Sequence, residues 1–295
     1  MIQNMLCEFE AYLREMDAGL ASIKAYLCDL RKFIRWYEDT AGMPPKTAAV
    51  IRLDIVEFRN YLERSARQQP ATINRALSSL SVYFAWAVEK RHILSNPVDG
   101  VNTIKEQPHA PKWLERQDLH ALVRAVSARQ KPSKRDHAIV VLLVHTGLRV
   151  SEACRLDIED LTLRERSGLV RIRQGKGNKY REVPLNTTVR NVLKDWIGER
   201  ESGPLFTSQK RGGRLTARAV EQMISRYAYA AHLGEGVKVT PHVLRHIFCK
   251  GLIDNEVSID QVAALAGHGN INTTAKYTKP SQRDLQRAVE KMSWE

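Results

Sequence analysis

The segment Thr240-Pro241-His242-Val243-Leu244-Arg245-His246 sets two chemically useful side chains three residues apart at the start of what reads as a helix. Thr240 suits the N-cap and Pro241 the first helical position, so His242 and Arg245 share one face. Two cationic groups at that spacing do not help an isolated helix. The pair therefore calls for an anion, either an acidic side chain from elsewhere or a phosphate. His242 and His246 also have the i, i+4 spacing of a zinc pair, but the glutamate of HExxH is missing and no third ligand is evident, so no metal site is expected. Elsewhere the sequence offers Arg149 within Thr146-Gly147-Leu148-Arg149-Val150-Ser151-Glu152, Lys176 within Gly175-Lys176-Gly177, and Gly267-His268 with Tyr277 nine residues later. Each of these has an ordinary surface, turn or helix-end reading when taken alone.

The elements that must position these residues can be read from periodicity and punctuation. Residues 1 to about 105 read as helices. Ser22 is a candidate cap for a segment through Tyr37, in which Ile23, Tyr26, Leu27, Leu30, Phe33, Ile34 and Tyr37 recur at helical spacing. A second helix is expected near Leu53 to Glu63. A third, from about Thr72 to Arg91, turns Ile73, Leu77, Leu80, Phe84 and Ala87 inward. The proline-rich polar stretch from Asn102 to Pro111 reads as an interdomain linker, which places a boundary near residue 107. Beyond it, helices are expected over Arg116 to Ala128 and Asp136 to His145, the latter ended by Gly147. Leu169 to Arg173 and Tyr180 to Leu185 flank Gly175 to Lys179 as a short β-hairpin with a basic tip, and helices follow. The fold class is thus mainly α with a small antiparallel β-sheet, in two domains, 1–107 and 108–295.

Composition narrows the partners. The net charge is +13, with 46 Lys and Arg against 33 Asp and Glu. Up to Gln107 there are 14 basic and 13 acidic residues, so the remainder holds 32 against 20 and carries nearly all of the excess. A polyanion is the partner such a domain suits. No apolar run reaches the roughly 20 residues that a membrane helix needs, and the first ten residues lack the basic start and apolar stretch of a secretory signal. No membrane association is expected, and the cytoplasm is the expected compartment. Cys7, Cys28, Cys154 and Cys249 form no CxxC pair and read as buried, reduced thiols. There is no GxxxxGK[ST] loop and no acidic cluster suited to catalytic magnesium, so neither ATP nor any other cofactor is implied.

Taken in order, Thr146 to Glu152, Gly175-Lys176-Gly177, His242-x-x-Arg245, and Gly267-His268 followed by Tyr277 resemble the tyrosine recombinase, or phage integrase, family, and within it the compact Xer-like and transposon resolution recombinases. The resemblance runs the length of the chain. It implies an N-terminal helical core-binding (SAM-like) domain and an α+β catalytic domain. Position by position it makes Tyr277 the nucleophile, Arg149 and Arg245 a phosphate clamp, Lys176 a hairpin lysine, and His242 and His268 the histidines of the site. These roles suit the chemistry. A phosphodiester under attack gains charge on its oxygens, which two permanently charged guanidiniums stabilise. A phenol of pKa near ~10 needs a proton acceptor, for which His242 is the first choice, and the departing hydroxyl needs an acid, which Lys176 would supply. Glu152 and Asp160 are candidate braces for the clamp. Asn74, Arg75, Arg218 and Arg226 are candidate DNA contacts.

The resemblance further implies double-stranded DNA with inverted half-sites as partner and a homo-tetramer on two sites. A short C-terminal pattern of Leu285, Ala288, Val289 and Met292 would dock onto a neighbouring protomer. Chromosome dimer resolution, transposon resolution and element integration are the tasks open to such an enzyme. Two other functions compete: a type IB topoisomerase, which relaxes one duplex, and a non-catalytic architectural protein that binds DNA.

Overall fold

The computed structural model describes residues 2–105, 114, 116–127, 133–173, 180–208, 212–233, 238–278, 286 and 289–290. The chain divides into two compact units, Met1–His109 and Ala110–Glu295. The apolar residues of each unit gather into separate cores.

The first unit is built on helices α1 (Ile2–Glu15), α2 (Leu20–Ala41), α3 (Arg52–Asn60) and α4 (Pro70–Glu89). Phe9, Leu30, Phe58, Ile73, Leu80 and Phe84 are fully buried between them. The periodic residues expected inward on α4 are all buried, because one apolar stripe at helical spacing faces the core. Ser22 is not the cap of α2. The helix begins at Leu20, and the Gly19 carbonyl accepts from the N–H groups of Ser22 and Ile23, which leaves Ser22 inside the first turn. The outgoing chain is pinned by Asn74, whose amide donates to the Ile104 carbonyl at 2.9 Å and accepts from the Ile104 N–H at 2.8 Å.

The second unit centres on α6 (Lys134–Thr146), which packs among α5 (Arg116–Ser127), α8 (Thr187–Ile197) and α10 (Pro241–Asp254). Residues Ala138 through Val144 are all buried, so α6 is apolar around its whole circumference, as befits a central helix. A three-stranded antiparallel sheet flanks it, in the order β1 (Leu161–Leu163), β2 (Gly168–Ile172), β3 (Arg181–Pro184). Val170 pairs with Leu161 on one side and Val183 on the other. The two expected strands therefore pair, while the basic tip Gly175 to Lys179 lies outside the described residues; β1 is an additional edge strand too short to show a period in the sequence. Short α7 (Val150–Arg155) follows α6; α9 (Ala217–Ala230), α11 (Ile259–Ala266) and α12 (Asn272–Ala275) complete the described helices. No described helix is long and apolar enough to cross a membrane.

Two of the four cysteines depart from expectation. Cys154 and Cys249 are buried, but Cys7 and Cys28 are exposed on the outer faces of α1 and α2, opposite the stripes that fill the core.

Gly147 ends α6 in the left-handed region at φ +60°. A Cβ there would lie 2.2 Å from Cδ1 of Phe248. Gly147→Ala is thus expected to destabilise the protein by about 2–4 kcal/mol, combining left-handed strain of about 1 kcal/mol or more with overpacking against the ring. A urea unfolding curve with an unchanged midpoint would contradict this.

Candidate active site

Three helix ends and one helix face meet in the second unit. The Gly147 turn carries the chain into α7 with Arg149 as its N-cap residue, and the Arg149 N–H is bound by Oε2 of Glu152 at 2.9 Å. A carboxylate three residues into a helix that reaches back to the N-cap is half of a capping box, so local sequence alone fixes this turn. On α10, Thr240 accepts from the Val243 N–H at 3.4 Å and Pro241 occupies the first turn, as expected. His242, Arg245, His246 and Cys249 then lie at i, i+3, i+4 and i+7, along one side of that helix.

The last carbonyls of a helix have no partner inside it and carry the negative end of its dipole. At the end of α11 the carbonyls of Ala266 and Gly267 are taken by the two arginines. Arg245 donates through Nη2 to the Ala266 carbonyl at 2.6 Å and through Nη1 to the Gly147 carbonyl at 2.5 Å. Arg149 donates through Nη2 to the Gly267 carbonyl at 2.7 Å and through Nη1 to Oε1 of Glu152 at 2.8 Å. Arg245 is 2% exposed. Glu152 is buried too; burial opposes its ionisation, but the hydrogen bonds from Arg181 and Arg149 prevail and hold its carboxyl below the usual range.

Tyr277 lies in the 3-10 turn Lys276–Thr278 and is 2% exposed. Its hydroxyl is 2.6 Å from Nδ1 of His246. His246 packs edge-on against His242, with ring centroids 4.2 Å apart. The His268 ring stacks on Tyr277 at 6.2 Å, and its Nδ1 is 2.7 Å from Oγ1 of Thr274. The imidazole that meets the phenol is thus that of His246, whereas His242 was the residue expected as proton acceptor. Tyr277 approaches α10 one turn further along, where the second imidazole of the same face meets it.

Electrostatics follow from burial beside the cations of the clamp. Burial, then His242, Arg245 and Lys276, lower His246 to about 4, and burial with Arg245 and Arg149 lowers His268 to about 4. His242 is lowered by burial and by the same two arginines. All three imidazoles are thus neutral near pH 7. Burial also raises Tyr277, with Cys249 adding to the rise and Arg245 opposing it, so the phenol holds its proton at rest. The arrangement is a neutral phenol and neutral imidazoles around two guanidiniums, a site suited to an anion.

The remaining expected residues are dispersed. Lys176 lies outside the described residues. Asp160 does not touch the clamp: its Oδ2 accepts from the Asp157 N–H at 2.9 Å and its Oδ1 lies 2.6 Å from Nε of Arg173, because the turn before β1 carries it to the foot of the sheet. Glu152 does brace Arg149. Arg75 pairs with Asp29 at 2.8 Å and Asn74 holds Ile104, both in the first unit. Arg218 and Arg226 are exposed on α9. No cluster of metal-ligating side chains occurs among the described residues. Sequence reasoning missed His246 as the partner of Tyr277, although its place on the His242 face was readable. It also missed Arg181, whose pairing with Glu152 leaves no local signal.

Residues 112–283 match the Phage integrase family, and residues 6–91 match the Phage integrase N-terminal SAM-like domain. The chain belongs to the phage integrase family. It is 31% identical over 292 residues to the TnP I resolvase of Bacillus thuringiensis, across 96% of this chain and 98% of the relative. It is also 31% identical over 301 residues to the tyrosine recombinase XerC of Syntrophus aciditrophicus (strain SB), across 96% and 95%. Its fold matches the crystal structure of XerH site-specific recombinase bound to palindromic difH substrate, a post-cleavage complex, with a TM-score of 0.76, 24% identity, and 93% and 80% of the two chains covered. This phage integrase family member is a site-specific recombinase enzyme, and neither topoisomerase-like relaxation nor a purely architectural role finds support among these relatives.

Proposed function

We propose that the protein cuts and rejoins double-stranded DNA at inverted half-sites through a 3′-phosphotyrosine at Tyr277, exchanging strands by way of a Holliday junction. The observation that carries this reading is the convergence of Arg149, Arg245, His246, His268 and Tyr277, from both ends of the second unit, around one cationic centre. The scissile phosphate binds between the guanidiniums. The Tyr277 oxygen forms a bond to phosphorus, its proton passes to His246, and the bond to the 5′ oxygen breaks. Lys176, by family resemblance, protonates that leaving oxygen. In the reverse sense, the 5′ hydroxyl of another strand attacks the phosphotyrosine and frees the phenol. The energy of the broken bond stays in the ester, so the cycle uses no cofactor.

Residues 1–107 serve as the core-binding domain and 108–295 as the catalytic domain, on a duplex held largely through phosphate contacts. The basic excess of the catalytic part and the exposure of Arg218 and Arg226 support this. Four protomers on two sites form the active assembly in the cytoplasm, joined by C-terminal tails. Of the tail positions, Val289 is exposed, and Leu285, Ala288 and Met292 lie outside the described residues. Duplexes recovered as covalent adducts from a randomised inverted-repeat pool provide the test. Two of them, differently labelled, should exchange strands with the purified protein. Resealing confined to the parent duplex would reject exchange.

The His246 contact carries its own expectation. His246→Ala should slow single-turnover cleavage by about a hundredfold or more, the range for a lost general base, and by more than His242→Ala. Because burial and the neighbouring cations lower His246 to about 4 in the free protein, the acceptor is already neutral well below pH 7, so the rate at subsaturating DNA, which reports the free enzyme, should show no imidazole inflection near ~6.5. An equal or larger loss in His242→Ala would return the acceptor role to that residue.

A further inference from the structure

Arg181 opens β3 and points away from the sheet into the clamp. Its guanidinium meets Glu152 as a fork, Nη1 to Oε1 at 3.0 Å and Nη2 to Oε2 at 2.8 Å, while Nε donates to the Leu265 carbonyl at 3.3 Å. Glu152 is the same carboxylate that holds the Arg149 N–H and Nη1. Arg149 in turn bonds the Gly267 carbonyl, two residues beyond Leu265. The contacts close a ring through α7, β3 and the end of α11. Gly267 is fitted to it: the residue has φ +68°, and a Cβ would lie 2.8 Å from Cζ and Nη1 of Arg181.

Such a ring is a poor device for stability alone. Its central pair is nearly sealed from solvent, with the Arg181 side chain 12% and Glu152 3% exposed, while Arg149 is 26% exposed. Burying ions costs desolvation that an apolar cluster of the same volume avoids, so a buried ion pair is weak evidence for a stabilising role. What a fork does supply is direction. Two parallel bonds from one planar guanidinium fix both carboxylate oxygens, and a carboxylate so fixed can hold a second guanidinium in one orientation. Arg181 is the residue from β3 that bonds both oxygens of Glu152, the carboxylate on which Nη1 of Arg149 rests.

Resting on the reading of Arg149 as a phosphate clamp, we propose that Arg181 is a positioning residue for the cleavage reaction, acting through Glu152 to orient Arg149. It touches neither the phosphate nor Tyr277.

A double-mutant cycle on single-turnover cleavage of a suicide duplex tests this, with folding checked by thermal unfolding. Arg181→Met should slow cleavage by about tenfold to a hundredfold, the range for removing the hydrogen-bonded partner of a functional side chain, with DNA affinity unchanged. In an Arg149→Ala background the same change should cost nothing further, since the residue being oriented is gone. Arg181→Lys should stay slow, because an ammonium keeps the charge but cannot form the fork. An additive loss in the double variant would make the role structural and overturn the proposal, as would a wild-type rate in Arg181→Met. Full activity in Arg181→Lys would reduce the role to charge and also overturn it. If the wild type forms no Tyr277 adduct on its site, the functional reading itself fails; that outcome is distinct from an active wild type whose Arg181 variants behave normally.

Discussion

Tyr277→Phe is expected to bind DNA as the wild type does and to form no covalent adduct, with cleavage reduced on the order of a millionfold, as for other catalytic nucleophiles. The substitution removes one oxygen from a ring that is 2% exposed and stacked on His268, so the packing of the turn survives. The hydrogen bond to Nδ1 of His246 is lost along with the nucleophile. His246 itself stays placed by α10 and by its edge-on packing against His242. Denaturing electrophoresis of end-labelled duplex reads the adduct directly, and a mobility shift reads binding. An adduct formed by Tyr277→Phe would move the nucleophile elsewhere. Tyr229, 84% exposed at the end of α9, would then be the next phenol to test.

The fold was legible wherever one apolar stripe faced one core. α2 and α4 show the period of a half-buried helix, and Gly147 and Pro241 mark real helix ends. Boundaries drifted where backbone chemistry, not side chains, does the capping: Gly19 begins α2 without a side-chain cap, so Ser22 was misread. β1 was missed because Leu161–Leu163 spans three residues, below the length at which alternation can be seen. In the site, order and spacing identified Arg149, His242, Arg245, His268 and Tyr277 as a set, and the structure gathers them in one unit. Which imidazole meets the phenol depends on where the turn after α12 lands on α10, and local sequence holds no record of that. Asp160 and Glu152 looked equivalent as acidic residues near Arg149. Both reach back three residues to an N-cap N–H, and what sets Glu152 apart is that its N-cap residue is Arg149 itself, whereas that of Asp160 is Asp157.

The clamp shows how helix ends can hold like charges together. Arg149 and Arg245 repel each other, and burial lowers the Arg245 pKa, with Arg149 adding to the effect. Three backbone carbonyls, of Gly147, Ala266 and Gly267, offset that repulsion at the ends of α6 and α11. Each guanidinium has five N–H donors, and the two hydrogen bonds that each makes among the described residues leave donors for an incoming phosphate. Carbonyl dipoles neutralise less than a full charge, so the site keeps a positive potential for the anion.

Arg245→Ala should therefore do two things at once. Loss of a rigid donor to the phosphorane oxygens is expected to slow cleavage by about a hundredfold to a thousandfold. Removal of a side chain 2% exposed also strands the carbonyls of Gly147 and Ala266, at a cost of about 1–3 kcal/mol for each buried acceptor left unpaired. The two effects separate with Arg245→Lys, whose ammonium can satisfy one carbonyl and keep a charge but cannot bridge both helix ends and a phosphate together. Denaturant midpoints should fall for Arg245→Ala and partly recover for Arg245→Lys, while cleavage stays impaired in both. Arg245→Lys cleaving at the wild-type rate would show that charge alone suffices and that the two-ended anchoring of the guanidinium has no part in catalysis. Wild-type cleavage by Arg245→Ala would remove Arg245 from the clamp altogether, leaving Arg149 as the sole guanidinium proposed for the phosphate.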